Sequence, residues 1–281
     1  MEKKIALFTA ALMIMALSNS AVLALVPMGP PKAQLGQDRW DIGIEYTHQS
    51  MDLEADGDVT DVYPDIDFTT ARRVKHNIND LKSNIVMVRA GYGINDSWDA
   101  FVRLGLADAK DDIEQTYPDG AKDKFNGYDG SFGLAWGFGT KATFWQDEQL
   151  SWGGLVQITW LNPGDGSVKL SGDPAFSGKA DIDNLWEVQI AGGPTWRLEN
   201  NLRIYGGPFL HFVNGDLDIS GSTVDMGTEI LTKASSDIEE KSQFGGYVGA
   251  QLDVDQNTSC ILEVQLTGDA WGIGIGAARR F

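Results

Sequence analysis

The sequence predicts an all-β fold: a transmembrane antiparallel up-and-down β-barrel of about ten strands. Three observations carry this prediction. Apolar and polar residues alternate with period two after residue 38, aromatic residues stand at the ends of the apolar faces, and short connections alternate with long ones. Barrels of eight or twelve strands are also compatible, because a long connection such as Asp165–Ala180 has room for an extra hairpin.

The composition excludes several classes of protein. The 281 residues include 40 acidic and 22 basic side chains, a formal net charge of −18, whereas nucleic acid binding needs clustered Lys and Arg. One cysteine, Cys260, excludes an internal disulfide framework, and no Cys/His spacing resembles a zinc site. The mean hydropathy of −0.20 looks soluble, but an average hides the alternation from which membrane barrels are built.

The first 24 residues have the layout of a secretory signal peptide. Two lysines precede an apolar stretch over residues 5–17, and residues 22–24 (Val-Leu-Ala) suit a signal peptidase. An uncleaved membrane anchor is the alternative, although the apolar stretch is short for a spanning helix. Residues 25–38 contain three prolines and are predicted as an extended periplasmic leader.

Residues 39–281 break into ten alternating segments, each a candidate strand with two different faces. A soluble β-sandwich also alternates, but its interior would not bury the charges found on the second face of these segments. The segments are Trp40–Thr47, Val86–Ile94, Trp98–Leu106, Tyr128–Phe138, Trp152–Trp160, Trp186–Arg197, Leu202–Phe212, Phe244–Leu252, Leu262–Leu266 and Trp271–Phe281.

The apolar faces carry aromatic residues at their ends. Trp186 and Trp196 share one face, and ten residues of strand extend about 33 Å. At a tilt of about 40° that length spans an apolar band of about 25 Å. We therefore predict two aromatic girdles at the membrane interfaces, formed by Trp40, Trp98, Trp136, Trp152, Trp160, Trp186, Trp196, Trp271 and Phe281.

Short and long connections follow one another along the chain, as in barrels with periplasmic turns and outward loops. The short turns are Asn95–Ser97, Gln146–Gln149, Glu199–Asn201 and Asp255–Thr258. The long loops are Met51–Asn84, Asp108–Lys124, Asn162–Asp183 and Asn214–Lys241. These four loops carry −14 of the net charge of −18, so the acidity is expected on the exposed outer side.

With these features the chain resembles the bacterial outer-membrane β-barrel proteins. Its last segment has apolar residues at alternate positions and ends on Phe281, like the terminal-strand signal of that class, although Arg279 stands where an apolar residue is usual. The resemblance covers Arg39–Phe281 and names no functional family. It implies export through the periplasm to the outer membrane, with outer-membrane lipid, lipopolysaccharide and the barrel assembly machinery as partners, and no nucleic acid.

The second face of the strands lines the predicted lumen. A turn at Asp96 places Arg89 opposite Arg103, a like-charge pair that needs screening. One hypothesis is a partly plugged lumen in which Glu45 bridges the two arginines, and the other is a wet pore lined by solvated charges. The predicted lumen residues are Glu45, Arg89, Arg103, Glu187, Arg197, Arg203, His211 and Glu263, with Arg197 opposite Arg203 and Gln189 opposite His211.

One acidic stretch begins like a calcium loop, with carboxylates at Asp52, Glu54, Asp56 and Asp58. Tyr63 replaces the bidentate Glu that such a loop needs at its twelfth position. Loosely bound divalent cations, which could bridge to lipopolysaccharide, are the broader expectation, and no other cofactor is expected.

A His-x-Ser pair, His48 and Ser50, is the one candidate for catalysis. Outer-membrane phospholipases and lipid A deacylases use such a pair, because residues i and i+2 on a strand share a face and the imidazole can take the hydroxyl proton. Met51 stands where those families commonly carry asparagine, and the sequence identifies no third residue to orient His48. A polar strand end entering a loop is the alternative.

Three functions therefore remain open. The sequence favours a structural or surface-interaction barrel that acts through acidic outward loops. A narrow passive pore for small solutes is the first alternative, although the aromatic residues Phe101, Tyr205, Phe209 and Tyr247 point inward and small barrels tend to be filled. A lipid hydrolase using His48 and Ser50 is the second, so an enzyme is not the leading interpretation.

Overall fold

The computed structural model describes residues 25–116, 122–164, 166–170 and 176–281, so the predicted signal peptide lies outside the described residues. No helix in these ranges is long and apolar enough to span a membrane. The strands are β1 Trp40–Tyr63, β2 Phe68–Asn95, β3 Trp98–Thr116, β4 Lys122–Gln146, β5 Leu150–Leu161, β6 Gly166–Leu170, β7 Phe176–Arg197, β8 Leu202–Asp225, β9 Thr228–Glu240, β10 Phe244–Asp253, β11 Thr258–Thr267 and β12 Ala270–Arg280.

Ten antiparallel chain paths close into one barrel. β12 pairs with β1 from Asp41 opposite Arg280 to Met51 opposite Ala270, which joins the two ends of the sheet. We call the end of the barrel that holds Trp40 and Phe281 the lower end. Two paths are interrupted: β5 continues upward into β6, and β9 continues downward into β10. The predicted up-and-down barrel is confirmed, and twelve strands arise because two of its ten paths are broken.

The cross-strand registers follow the predicted hairpins. Arg89 lies opposite Arg103 across β2 and β3. Across β7 and β8, Arg197 lies opposite Arg203 and Gln189 lies opposite His211. The parity of each strand, and therefore the face on which each side chain stands, was predictable from the turn positions.

Above Met51 the barrel narrows from ten strands to eight. The β11–β12 hairpin ends at this level, and β9 pairs there directly with β1 from Leu53 opposite Glu240 to Val62 opposite Leu231. β6 takes the place of β5 between β4 and β7. We call this part, formed by β6, β9 and the distal ends of β1–β4, β7 and β8, the upper barrel, and the ten-stranded part the lower barrel.

The segments predicted as long outward loops are mostly strand, which corrects that prediction. The first is a hairpin closed by a short 3₁₀ turn, Pro64–Ile66. The last is closed by Met226 and Gly227, whose positive φ angles of 48° and 86° are those of the central residues of a type I′ turn. Apolar and polar residues therefore continue to alternate through these segments, but here the apolar residues face inward and the polar residues face outward.

β1 shows the exchange of faces. In the lower barrel its outward residues are Trp40, Ile42, Ile44 and Tyr46, and its buried inward residues are Asp41, Glu45, Thr47 and Gln49. In the upper barrel its outward residues are Asp52, Glu54, Asp56 and Asp58, and its buried inward residues are Leu53, Ala55 and Val59. The lower barrel is apolar outside, as lipid requires, and the upper barrel is polar outside, as water requires.

Candidate functional site

The leader, residues 25–38, lies inside the lower barrel, with its first residues at the upper end. Leu25, Val26 and Met28 are each only 1% exposed. Near the lower end, the carboxylate of Asp99 accepts hydrogen bonds from the backbone N–H groups of Gln34 (2.5 Å) and Leu35 (3.2 Å). The leader is therefore a plug whose backbone is bound by side chains of the barrel wall.

Inward glycines make room for this plug. A β-carbon at Gly274 would overlap the ring of Pro27, and one at Gly153 would overlap the carbonyl oxygen of Pro31. The leader thus packs directly on the bare backbone of the barrel wall. Glycines on the lumen face were the signal in the sequence that something fills the space in front of them.

Glu263 holds the middle of the plug. Its two carboxylate oxygens accept hydrogen bonds from the backbone N–H groups of Met28 (2.8 Å) and Gly29 (2.7 Å). Gln265 Nε2 donates to the same carboxylate at 2.7 Å. On the opposite side, Lys141 Nζ donates to the carbonyl oxygen of Met28 at 2.6 Å. Lys141 was missed because the predicted strand ended at Phe138.

The arginines are screened in a different way from the predicted one. Arg103 Nε lies 2.8 Å from Glu45, but Arg89 pairs with Asp41 at 2.5 Å, so Glu45 does not bridge both arginines. Asp41 stands opposite Gly91, two residues from Arg89 on the same face, and is therefore within reach. Both guanidinium groups lie over the ring of Phe101, at 4.7 Å for Arg103 and 5.3 Å for Arg89.

Three glutamines surround the upper part of the plug. Gln157 Nε2 and Gln265 Nε2 donate to the carbonyl oxygen of Val26 at 3.2 Å and 3.0 Å. Gln189 accepts from Gln157 and donates to Gln265 Oε1 at 2.8 Å. Above this layer lie Glu187 and His211, 2% and 1% exposed, with His211 Nε2 3.5 Å from Glu187 Oε2.

The remaining predicted lumen residues lie at the lower mouth. Arg203 pairs with Asp253 at 2.6 Å, and Arg197 is exposed. Both line a cavity of about 400 Å³ together with Lys32. Burial, followed by the nearby charges of Arg203 and Arg197, lowers the pKa of Lys32 to about 8.

The upper barrel is filled by apolar side chains. Its buried cluster contains residues from nine strands, β1 to β9, and also Val26 from the top of the plug. The fully buried members, at 0% exposure, are Leu53, Ala55, Val59, Ile78, Ala135, Val168, Ala180, Ile182, Leu217 and Ile238. The path through the barrel is therefore occupied first by the plug and then by this core.

The outer wall of the upper barrel carries the acidic side chains. The predicted calcium loop is wrong, because Asp52, Glu54, Asp56 and Asp58 lie on the regular strand β1. Within the described ranges no group of three or more Asp, Glu, His or Cys residues is arranged to hold a metal ion. A surface cavity of about 270 Å³ on this wall is lined by Glu54, Asp56, Arg73, Lys75, Asp237, Glu239 and Glu240.

The predicted His-x-Ser pair stands on the outside of β1, where the lipid-facing belt meets the upper barrel. His48 Nδ1 lies 3.0 Å from Oδ1 of Asn84, its partner across β2. Asn84 Nδ2 in turn donates to Asp108, at 3.1 Å and 3.2 Å to its two oxygens. Ser50 is 1% exposed, and its hydroxyl has no hydrogen-bond partner, so the structure does not join it to His48.

The tryptophans form two levels. Trp40, Trp98, Trp152 and Trp196 are about half exposed near the lower ends of their strands, where Phe281 also lies. At the upper level Trp136, Trp160 and Trp186 stand in one row across β4, β5 and β7, and the first two rings stack at 4.2 Å. Trp271 lies partly buried at the same end, with its ring edge toward His48.

No model of a known protein family matches the chain, and no curated protein sequence matches it either. Among solved structures it is similar to the outer membrane protein OprG of Pseudomonas aeruginosa, with 11% identity over 88% of this chain and 99% of that one and a TM-score of 0.43. It is also similar to the outer membrane protease OmpT of Escherichia coli (10%, 89% and 99%, 0.46) and to the toluene transporter TbuX of Ralstonia pickettii (8%, 90% and 92%, 0.41).

These identities and scores carry nothing about activity, so the assignment depends on the molecule itself. A closed ring of strands with an apolar, tryptophan-rimmed outer belt is built to span a bilayer. The molecule has the architecture of the β-barrels that span bacterial outer membranes. Sequence reasoning found its strands and charged lumen but missed the plug, Lys141, the glutamine layer and Asn84.

Proposed function

We propose that this outer-membrane barrel is closed to solutes and acts at the cell surface, where the negative charge of the upper barrel's outer wall, without a preformed metal site, attracts loosely held divalent cations and, through them, the phosphates of lipopolysaccharide. The observation that carries the proposal is the double closure of the lumen, by the plug below and by the apolar core above. A barrel filled in this way offers its outer wall for interaction. That wall presents Glu54, Asp56, Asp237 and Glu239 directly above the lipid-facing belt.

Binding of purified lipopolysaccharide to the barrel in detergent, with and without Ca²⁺, tests the surface role. We expect Ca²⁺ to strengthen binding, and the double substitution Asp237→Asn and Glu239→Gln to weaken it at least about tenfold, because two of the ligating charges are lost. Glu148→Gln removes one acid at the lower mouth and is the matched control. Binding that is independent of both Ca²⁺ and these acids would contradict the surface role.

Single-channel conductance in a planar bilayer tests the closed lumen and the pore alternative together. We expect no stable openings from the intact barrel, because an ion would have to pass the apolar core of the upper barrel without water. Stable openings whose conductance changes in Arg89→Ala or Arg103→Ala would show that ions pass these lumen charges, and the closed-lumen proposal would be wrong.

Lipid-ester hydrolysis at Ser50 is a second candidate, favoured by one observation: Asn84 orients His48. Because Asn84 Nδ2 donates to Asp108, its Oδ1 faces His48 and accepts from Nδ1–H. That tautomer leaves Nε2 of His48 free to take the proton of a serine hydroxyl. Ser50, two residues further along the same face, supplies the hydroxyl nucleophile, and it would have to move out from beside Trp271 to meet an ester.

Hydrolysis of a short-chain ester in detergent micelles decides this second candidate. We expect activity in the wild-type barrel that falls to background in Ser50→Ala and drops strongly in Asn84→Ala, because the imidazole loses its orientation. Ser83→Ala changes an inward-facing serine on β2 and should leave the activity unchanged. Equal background activity in the wild type and in Ser50→Ala would contradict lipid-ester hydrolysis at Ser50.

A further inference from the structure

Directly above the plug, three buried polar side chains have no hydrogen-bond partner among the described residues. They are Glu187, with both carboxylate oxygens unpaired, His211, with both ring nitrogens unpaired, and Thr159, whose hydroxyl is unpaired. All three are at most 2% exposed. The distance of 3.5 Å between His211 and Glu187 is too long for a hydrogen bond. A buried carboxylate without a donor is strongly unfavourable, so a cationic donor is missing at this place.

The top of the plug points at this group. The carbonyl oxygen of Val26 is bound by the glutamine layer, and Leu25, the residue before it, lies in one buried cluster with Phe209, whose ring centroid is 6.5 Å from that of His211. Glu187 is two residues above Gln189 on the same face of β7, and Thr159 is two residues above Gln157 on β5. Two strand residues rise about 6.6 Å, and two residues of extended leader backbone, Leu25 and Val26, span a similar length from the Val26 carbonyl to the Leu25 nitrogen.

We propose that Glu187, with Thr159 and His211, is a binding site for the α-ammonium group of Leu25. That group is made when signal peptidase hydrolyses the Ala24–Leu25 peptide bond: water supplies the oxygen of the new Ala24 carboxylate, and the nitrogen leaves as the amino group of Leu25. An α-amino group has a pKa of about 7.7–8.0 and takes up a proton at neutral pH. It then offers three N–H donors and one positive charge to the Glu187 carboxylate and the Thr159 hydroxyl.

The uncleaved chain cannot supply this partner. Before cleavage the Leu25 nitrogen is an amide with one N–H and no charge, so the Glu187 carboxylate gains no ammonium donor from it. Removal of the signal peptide therefore creates the group that fixes the plug in the lumen. This inference concerns how the lumen is closed after export, and it holds independently of the surface role proposed above.

The test uses the barrel exported to and purified from the outer membrane. Mass spectrometry should find a chain that begins at Leu25. In the folded barrel 2-pyridinecarboxaldehyde, which reacts with α-amines, should label Leu25 at no more than about one-tenth of the rate in urea, because the amine is paired and buried. Glu187→Gln should raise the folded-state rate at least about tenfold, whereas Glu199→Gln in an exposed lower turn should leave it unchanged.

A second comparison covers the case in which Glu187→Gln does not fold. Wild-type chain starting at Leu25 is refolded in detergent with a free or an acetylated amino group, and acetylation should lower the urea midpoint. Equal midpoints, a chain that begins at another residue, or an α-amine that reacts equally fast in folded and unfolded protein would each overturn the proposal.

Discussion

Replacing Glu263 by alanine is expected to lower the free energy of unfolding by about 3–5 kcal/mol. The carboxylate accepts the backbone N–H groups of Met28 and Gly29, and alanine leaves both donors buried without an acceptor. It also removes an anion from a lumen layer that holds Arg103 and Lys141, both buried. Urea titration, followed by the difference in gel migration between unboiled and boiled samples, measures the loss.

Two matched variants separate the loss of the plug contact from a general effect of charge. Glu263→Gln keeps one carbonyl acceptor, so it should cost less than the alanine variant. Glu239→Gln removes a charge from the exposed outer wall, and its midpoint should stay within the error of the wild type. A Glu263→Ala barrel with the wild-type urea midpoint would show that the leader is not held by this carboxylate.

The lower barrel was predictable because the bilayer imposes one rule on every strand. Lipid requires apolar outward side chains, so parity alone assigned Ile42 and Ile44 to the outside and Glu45 to the lumen. The turn at Asp96 then set Arg89 opposite Arg103. No comparable rule says which of the acids near Arg89 will bind it, and Asp41 does so instead of Glu45.

The plug was not predictable from its own residues. Residues 25–38 have no alternation, because most of their polar contacts are made by the backbone: Asp99, Thr143 and Glu263 all accept leader N–H groups. A segment recognised through its backbone leaves little pattern in its sequence. The pattern lies in the partner surface, as polar side chains and glycines that face inward.

The sequence predicts loops where the upper barrel stands, because its strands carry polar residues outside and apolar residues inside. Water lies outside and the core lies inside, so the acids stand on the face that carries Ile and Trp lower down the same strand. Asp52, Glu54, Asp56 and Asp58 therefore looked like a calcium loop, although Leu53, Ala55 and Val59 between them already marked a strand buried on one face. The apolar residues of an alternating strand face outward where the barrel is surrounded by lipid and inward where it is surrounded by water.

Two neighbouring residues of β8 test whether the upper barrel has an apolar interior and a water-exposed outer face. Ile219 is 3% exposed and stands between Ala180 and Ala234 in the apolar core, so Ile219→Asp buries a carboxylate that has no cation beside it. We expect a loss of about 4 kcal/mol or more and a locally unfolded upper barrel. Trypsin added to the barrel in proteoliposomes should then cut in the upper barrel and leave the lower barrel protected.

Ser220, the next residue, faces outward between Lys179 and Lys233, so the matched substitution Ser220→Asp places the same carboxylate beside two ammonium groups in water. Its effect on stability should stay within about 0.5 kcal/mol, because exposed pairs contribute little. If the upper barrel were a set of solvated loops, the two substitutions would lower the stability equally little. Equal trypsin resistance of the two variants would therefore exclude the apolar core, and with it the upper closure of the lumen.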